Sequence, residues 1–415
     1  MPNDTAPGPP APADPVRGDA VPGGSGPGVF GDLAGQDAVV AELRQAAAAA
    51  AAVLRGERAT GMTHAWLFTG PPGSGRSVAA RAFAAALLCP YGGCGRCPSC
   101  HQVRAGTHAD LLLVRPYGLS YGVRQTRNLV LRAAGAPSGG RWQVVVFEDA
   151  DRATEQAANA LLKAIEEPAP RTVWLLCAPS AEELVTTIRS RCRLVTLRTP
   201  PSAAVAEVLA RDGVDPERAL AAARAAQGHI GRARRLATDP EAARRRDEVL
   251  AAPTRLTGIG PAFAAAAALV KAAETEAAAI TEELDTPERE ALRRAFGEVS
   301  TGKGVAKAIR GSAGAMRELE DRQKSRATRL KRDALDRALL DLAAVYRDVL
   351  AVQVDAGVEL ASSGHERDVQ RLAGSSRPED TVRRIQAIMA CRERLELSVA
   401  PLLAVEEMTL ALAAS

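Results

Sequence analysis

Leu67-Phe68-Thr69-Gly70-Pro71-Pro72-Gly73-Ser74-Gly75-Arg76-Ser77-Val78 constrains this chain more than any other stretch. An apolar run stops at Thr69, a glycine-rich loop follows, and an alanine-rich helical pattern opens near Ser77. Strand, loop and helix with G-x-x-x-x-G-[K/R]-S spacing is the context of a phosphate-binding P-loop. Glycines let backbone N–H groups turn inward around phosphate oxygens, and the helix N-terminus adds a favourable dipole. The sequence therefore offers Gly70, Gly73, Ser74, Gly75, Arg76 and Ser77 as nucleotide-binding residues. The competing reading is a strand-to-helix turn that holds no ligand.

Arg76 stands where a working ATPase of this kind carries Lys. An ammonium on a thin stem slides between phosphate oxygens, whereas a guanidinium is a broad planar fork, so the exchange is not conservative. The motif reads as degenerate, and bound ATP with Mg²⁺ is a doubtful cofactor.

Around this loop the pattern alternates. Strands are expected at Ala65–Thr69, Asp110–Arg115, Val144–Phe147, Val173–Ala178 and Arg193–Leu197. Helices are expected at about Asp37–Arg58, Ser77–Leu88, Val123–Ala134, Thr154–Ile165 and Glu182–Ile188. Several strands are wholly apolar, which implies a parallel sheet covered on both faces. Past Pro200-Pro201 the strands stop. Short helices with turns at Asp212-Gly213 and Gly228 fill 202–240, and a third, helical region begins near Glu241. Glycine-rich interruptions are expected over Leu256–Gly260 and Glu298–Gly314, then one long charged helix over Met316–Asp355. Leu335, Leu339, Leu342, Val345 and Val349 follow helical spacing in it, as in a bundle helix with one wet face. The fold class is α/β plus all-α. Residues 1–28, rich in Pro, Gly, Ala and Asp, read as a disordered tail.

Four of the seven cysteines fall in Cys89-Pro-Tyr-Gly-Gly-Cys94-Gly-Arg-Cys97-Pro-Ser-Cys100. The intervening Gly and Pro permit the tight turns that bring four sulfurs around one ion. Four thiolates suit tetrahedral Zn²⁺ with no open position, hence a structural staple. An iron–sulfur cluster uses similar spacings, and four free thiols are the remaining reading. His101 directly follows Cys100 and is poorly placed to share its ion.

The apolar strand Val144-Val145-Val146-Phe147 ends in Glu148-Asp149. In P-loop ATPases such a strand end helps hold Mg²⁺ and orient water, but here the usual Asp-Glu order is reversed. Both charges would be misplaced by one methylene. Arg189, Arg191 and Arg193 alternate before the last strand. On composition they are surface charge; with a neighbouring subunit, an arginine finger supplied in trans is a second reading.

Taken together, these residues resemble bacterial clamp-loader subunits of the AAA+ class. The likeness rests on Gly70 to Ser77, Cys89 to Cys100, Asn159-Ala-Leu-Leu-Lys-Ala-Ile-Glu-Glu-Pro168 and Ser190-Arg191-Cys192, and covers about residues 29–240. It implies an AAA+ domain over 29–199 with the Cys₄ module at 89–100. A helical lid over 200–240 and a helical oligomerisation collar over 241–415 follow. Within the family, Arg76 and Glu148-Asp149 depart from the ATP-hydrolysing gamma/tau motor. Gly228-His229-Ile230-Gly231 puts Gly231 where active relatives carry a sensing Arg, with Arg232 one position late.

These departures imply a non-hydrolysing stator in the clamp loader of DNA polymerase III, a nucleotidyltransferase holoenzyme. Arg191 would serve as finger in trans, and own ATPase activity would be absent or weak. Gamma/tau and delta subunits would be the direct partners, with the sliding clamp and primed DNA reached through the complex. The alternative is a gamma/tau-type motor that tolerates Arg76. A stand-alone DNA-binding protein is disfavoured, since the net charge is only +4 and aromatics are 3%. No apolar run of membrane-spanning length occurs, and no signal peptide follows Met1. Scattered Cys177, Cys192 and Cys391 suit a reducing compartment, so the expected location is the cytoplasm.

Overall fold

The computed structural model describes residues 28–116, 118–297, 305–397 and 399–414. The expected tail, apart from Gly28, and the stretch 298–304 lie outside the described residues. Five strands, β1 (Ala65–Thr69), β2 (Leu111–Val114), β3 (Gln143–Phe147), β4 (Thr172–Ala178) and β5 (Arg193–Thr196), form one sheet in the order β2-β3-β4-β1-β5. Every pairing is parallel, with Leu67 opposite Leu176 and Leu194. The helices between them are α1 (Asp37–Leu54), α2 (Arg76–Leu88), α3 (Pro98–Ala105), α4 (Val123–Ala133), α5 (Glu155–Glu166) and α6 (Thr186–Arg189).

The apolar strands are buried because helices cover both faces. β1, β3 and β4 are buried at every residue. Alternate side chains divide between two cores, as the pleat requires. Trp66, Phe68, Val144, Val146, Val173 and Leu175 pack with Leu43 of α1 and Phe83 of α2. Leu67, Val145, Phe147, Trp174 and Leu176 pack with Leu129 of α4 and Leu161 and Ile165 of α5. Alanines on the inner faces of α1 and α2 leave room for Trp66, whose ring meets Phe83 edge-on at 4.9 Å and whose Nε1 donates to Thr63 O at 2.9 Å.

Two local expectations are corrected. The helix expected over Glu182–Ile188 is only the four-residue α6. Ser180 Oγ accepts from Glu182 N at 3.1 Å and turns the backbone, while Leu184 drops into the core on the α4/α5 side. The glycine-rich interruption before Met316 is absent from Val305 onward: one helix runs through Gly311 and Gly314. A helical glycine costs about 1 kcal/mol against alanine, and the surrounding Ala, Arg, Lys and Glu outweigh it.

After β5 the chain is helical. α7 (Ser202–Arg211), α8 (Pro216–Ala225) and α9 (Ile230–Thr238) enclose a small core of Val205, Leu209, Ala219, Ala223, Ile230 and Ala233. α10 (Pro240–Ala251), α11 (Ile259–Gly297), α12 (Val305–Gln353), α13 (Glu366–Ser375), α14 (Pro378–Glu396) and α15 (Pro401–Ala414) follow. Leu335, Leu339, Leu342, Val345 and Val349 of α12 are all buried.

Two carboxylates tie α9 to the helices that follow it. Asp341 of α12 accepts from Arg232 of α9 and, at 3.2 Å, from Nε of Arg246 of α10. Glu276 of α11 meets Arg235 of α9 at 2.6 Å and Arg337 of α12 at 2.8 Å. Asp341 and Arg246 are both buried, so removing the acid leaves arginine charge without a counter-ion. Breaking a buried pair from one side costs about 3–5 kcal/mol. Asp341→Ala is therefore expected to destabilise the helical region by that order, read as a lower first midpoint in urea unfolding followed by circular dichroism. An unchanged midpoint would show that the pair carries no stability.

Candidate functional site

β1 delivers the glycine-rich loop to the C-terminal edge of the sheet, the edge where ligands of open α/β sheets bind. Gly70 takes φ +148°, and a Cβ there would lie 2.5 Å from Leu197 O and 2.6 Å from Ser74 Oγ. Gly73 takes φ +90°, and a Cβ would stand 3.0 Å from His229 Cβ. The loop is thus pressed against the start of α9, and only glycine allows that approach. Gly75 is the N-cap of α2, with Arg76 and Ser77 in its first turn. Gln36 braces the loop: its Nε2 donates to Arg198 O at 2.5 Å and lies 3.5 Å from Ser74 O.

The loop keeps polar atoms in reserve. Ser74 Oγ, one terminal nitrogen of Arg76 and Asp151 Oδ1 are buried without a hydrogen-bond partner. Burial pushes the Asp151 carboxyl above its usual range. Burial, followed by the charge of Arg232, holds the His229 imidazole below its usual value.

The acidic strand end sits at the same edge but is already occupied. Glu148 is buried. Its Oε1 accepts from Arg81 of α2 at 2.8 and 3.1 Å and from Arg115 at 3.3 Å, while its Oε2 accepts from Arg115 Nε at 2.7 Å. Tyr121 secures the neighbouring backbone, donating to Glu148 O and lying 3.1 Å from Val114 O, with its ring stacked on Phe147 at 4.1 Å. Asp149 follows in the left-handed region at φ 51°. A hard dication needs free oxygen ligands, and both oxygens of Glu148 face guanidinium groups. The Glu148 carboxylate, paired with two arginines, is therefore a poor fit to Mg²⁺.

The opposite edge of the sheet holds the other candidates. Arg191 precedes β5, so parallel strands of about 3.3 Å per residue separate it from the glycine-rich loop that follows β1. Its Nη1 donates to Thr187 O at 2.8 Å and Ser190 Oγ at 3.1 Å, and its Nη2 pairs with Glu166 Oε1 at 2.6 Å. Arg193 is structural: its guanidinium lies 4.9 Å from the centre of the Trp66 ring and pairs with Glu42.

The cysteine module also lies at this edge, between α2 and β2. Sγ atoms of Cys89, Cys94, Cys97 and Cys100 all lie within 4.8 Å of one another, close enough to share one ion. Cys97 caps α3, its Sγ accepting from Cys100 N at 3.5 Å. Tyr91 N donates to Cys89 Sγ at 3.3 Å. Contact with the Cys100 side chain, aided by backbone N–H groups of Cys94, Gly93 and Tyr91, draws the Cys89 thiol down, while the same contact and burial push Cys100 up, so the two share one proton. Thiolate is the ligand form, so this geometry fits a soft dication. His101 is exposed.

The structure thus brings Gly70–Ser77 and Glu148-Asp149 together and sets Arg191 and the cysteines apart from them. Sequence reasoning missed Arg81, Arg115 and Gln36. The available signal was positional: Arg115 immediately follows β2, whose Val114 pairs with Phe147, one residue before Glu148.

Residues 48–201 match the family described as DNA polymerase III, delta subunit. A Pseudomonas aeruginosa protein named DNA polymerase III subunit delta' is 41% identical over 155 residues, covering 36% of this chain and 47% of that protein. A Mycobacterium tuberculosis gamma/tau subunit is 33% identical over 187 residues, covering 44% of this chain and 31% of that protein. A solved gamma subunit-related protein from Thermotoga maritima aligns over 88% of this chain and 97% of its own, with 15% identity and a TM-score of 0.36, too low to add weight. The matches thus span about half, or less, of the curated relatives' length. Residues 48–201 are thus similar to the delta-prime subunits of DNA polymerase III clamp loaders.

Proposed function

We propose that this chain is a non-hydrolysing stator subunit of a clamp loader, lending Arg191 in trans to a motor subunit's ATP. The observation that carries the reading is the pairing of Glu148 with Arg81 and Arg115, which removes the carboxylate that would hold Mg²⁺ in a working site. Arg191 supports the second half: it is exposed and lies at the sheet edge away from the chain's own loop, so any phosphate it meets belongs to a neighbour. Arg232, one place beyond the sensing position, is held by Asp341 and completes the loss of the chain's own catalytic groups. Gamma/tau and delta subunits are the proposed partners, in the cytoplasm. The sliding clamp and primed DNA are engaged through the complex, with 200–240 as lid and 241–415 as collar.

Zinc is the proposed ion of the cysteine module, held by Cys89, Cys94, Cys97 and Cys100. Bound there with four thiolates, it supplies a cross-link and no open coordination position.

Three outcomes test this reading. The purified chain is expected to hydrolyse ATP at a rate indistinguishable from its Glu148→Gln variant in a phosphate-release assay; robust turnover abolished by that change would support the gamma/tau-type motor instead. In a complex reconstituted with the motor subunit, Arg191→Ala is expected to slow hydrolysis at the facing site by more than about tenfold, since a finger is worth roughly 10³–10⁵. Elemental emission is expected to give about one zinc per chain, with a lower thermal midpoint after chelation; iron with visible absorption would reassign the site.

A further inference from the structure

We propose that Glu166 is a positioning residue that parks Arg191 on its own chain and sets how readily the guanidinium passes to a neighbour's phosphate. This rests on the reading of Arg191 as a finger in trans. Glu166 is the last residue of α5, and Glu167 follows it. Two acids at a helix C-terminus meet the negative end of the dipole, where a cation is favoured. Arg191 supplies that cation, its Nη2 lying 2.6 Å from Glu166 Oε1.

The acid is held in place from below. Leu161 and Ile165 of α5 are buried in the core, and His64 Nε2 lies 2.9 Å from Ile165 O at the end of the helix. The arginine is held from its own side: Nη1 spans Thr187 O and Ser190 Oγ. Glu166 thus joins Thr187 O and Ser190 Oγ in fixing one rotamer of Arg191, with the fork turned toward α5. Both partners remain over a third exposed, 38% for Arg191 and 36% for Glu166. An exposed ion pair of this kind is weak, whereas a triphosphate presents several charges to one guanidinium. Glu166 therefore competes with the neighbour's phosphate for the same nitrogen and loses when the subunits close. Arg193 is not available for this exchange, since Trp66, Glu42 and Gly61 O hold it.

The test uses the complex with the motor subunit and compares steady-state ATP hydrolysis for wild type, Glu166→Gln, Arg191→Ala and the double variant. Glutamine keeps the shape and removes the competing charge, and the buried face of α5 is untouched. The expected result is an apparent KM for ATP about two- to fivefold lower in Glu166→Gln, with kcat unchanged, the pattern of stronger uniform binding. The same substitution made on Arg191→Ala is expected to change nothing. Equal effects of Glu166→Gln with and without Arg191, or no effect while Arg191→Ala slows the complex, would overturn the parking role alone. A complex insensitive to Arg191→Ala would overturn the finger itself, and the parking role with it.

Discussion

Five parallel strands give the sheet two chemically different edges, and the rest of the molecule follows from that polarity. The C-terminal edge gathers Gly70–Ser77 and Glu148-Asp149, because the loops after β1 and β3 emerge there. The N-terminal edge receives the turn before β5, the end of α5 and the cysteine module. No side-chain rearrangement carries Arg191 around the sheet to its own glycine-rich loop. Whatever these groups do, they do separately.

At the C-terminal edge, charge has been balanced internally. A buried carboxylate without a counter-ion is costly, and in an active site the metal supplies the compensation. Here two guanidinium groups do so, one from α2 and one from the end of β2. Similar pairing ties the helical regions together. Arg232 reaches Asp341 of α12, and Arg235 reaches Glu276 of α11. These contacts join α9 to the long helices, so a movement of α9 would have to break partly buried ion pairs.

Much of this organisation was legible in the sequence. Continuous apolar runs placed four of the five strands to within a residue or two, because strands buried on both faces carry little else. The glycine-rich loop and the cysteine knuckle were legible because spacing alone demands tight turns there. The misreadings have physical causes. The stretch 182–188 has helical composition, yet Ser180 and Leu184 bend it for tertiary reasons. Glycines before Met316 suggested a break that a strong helical context overrides. The pairing of Glu148 with Arg81 and Arg115 is a contact across 67 and 33 residues, and no local pattern marks it. Likewise the nearness of Glu166 to Arg191 depends on where α5 ends relative to β5.

The central claim is that Glu148 has exchanged a metal for arginine. Calorimetric titration of the purified chain with ATP, with and without Mg²⁺, tests this most directly. With both carboxylate oxygens engaged, magnesium is predicted to change any ATP affinity by the same factor in wild type and in Glu148→Gln. Magnesium-dependent strengthening of tenfold or more that vanishes in Glu148→Gln would contradict the account.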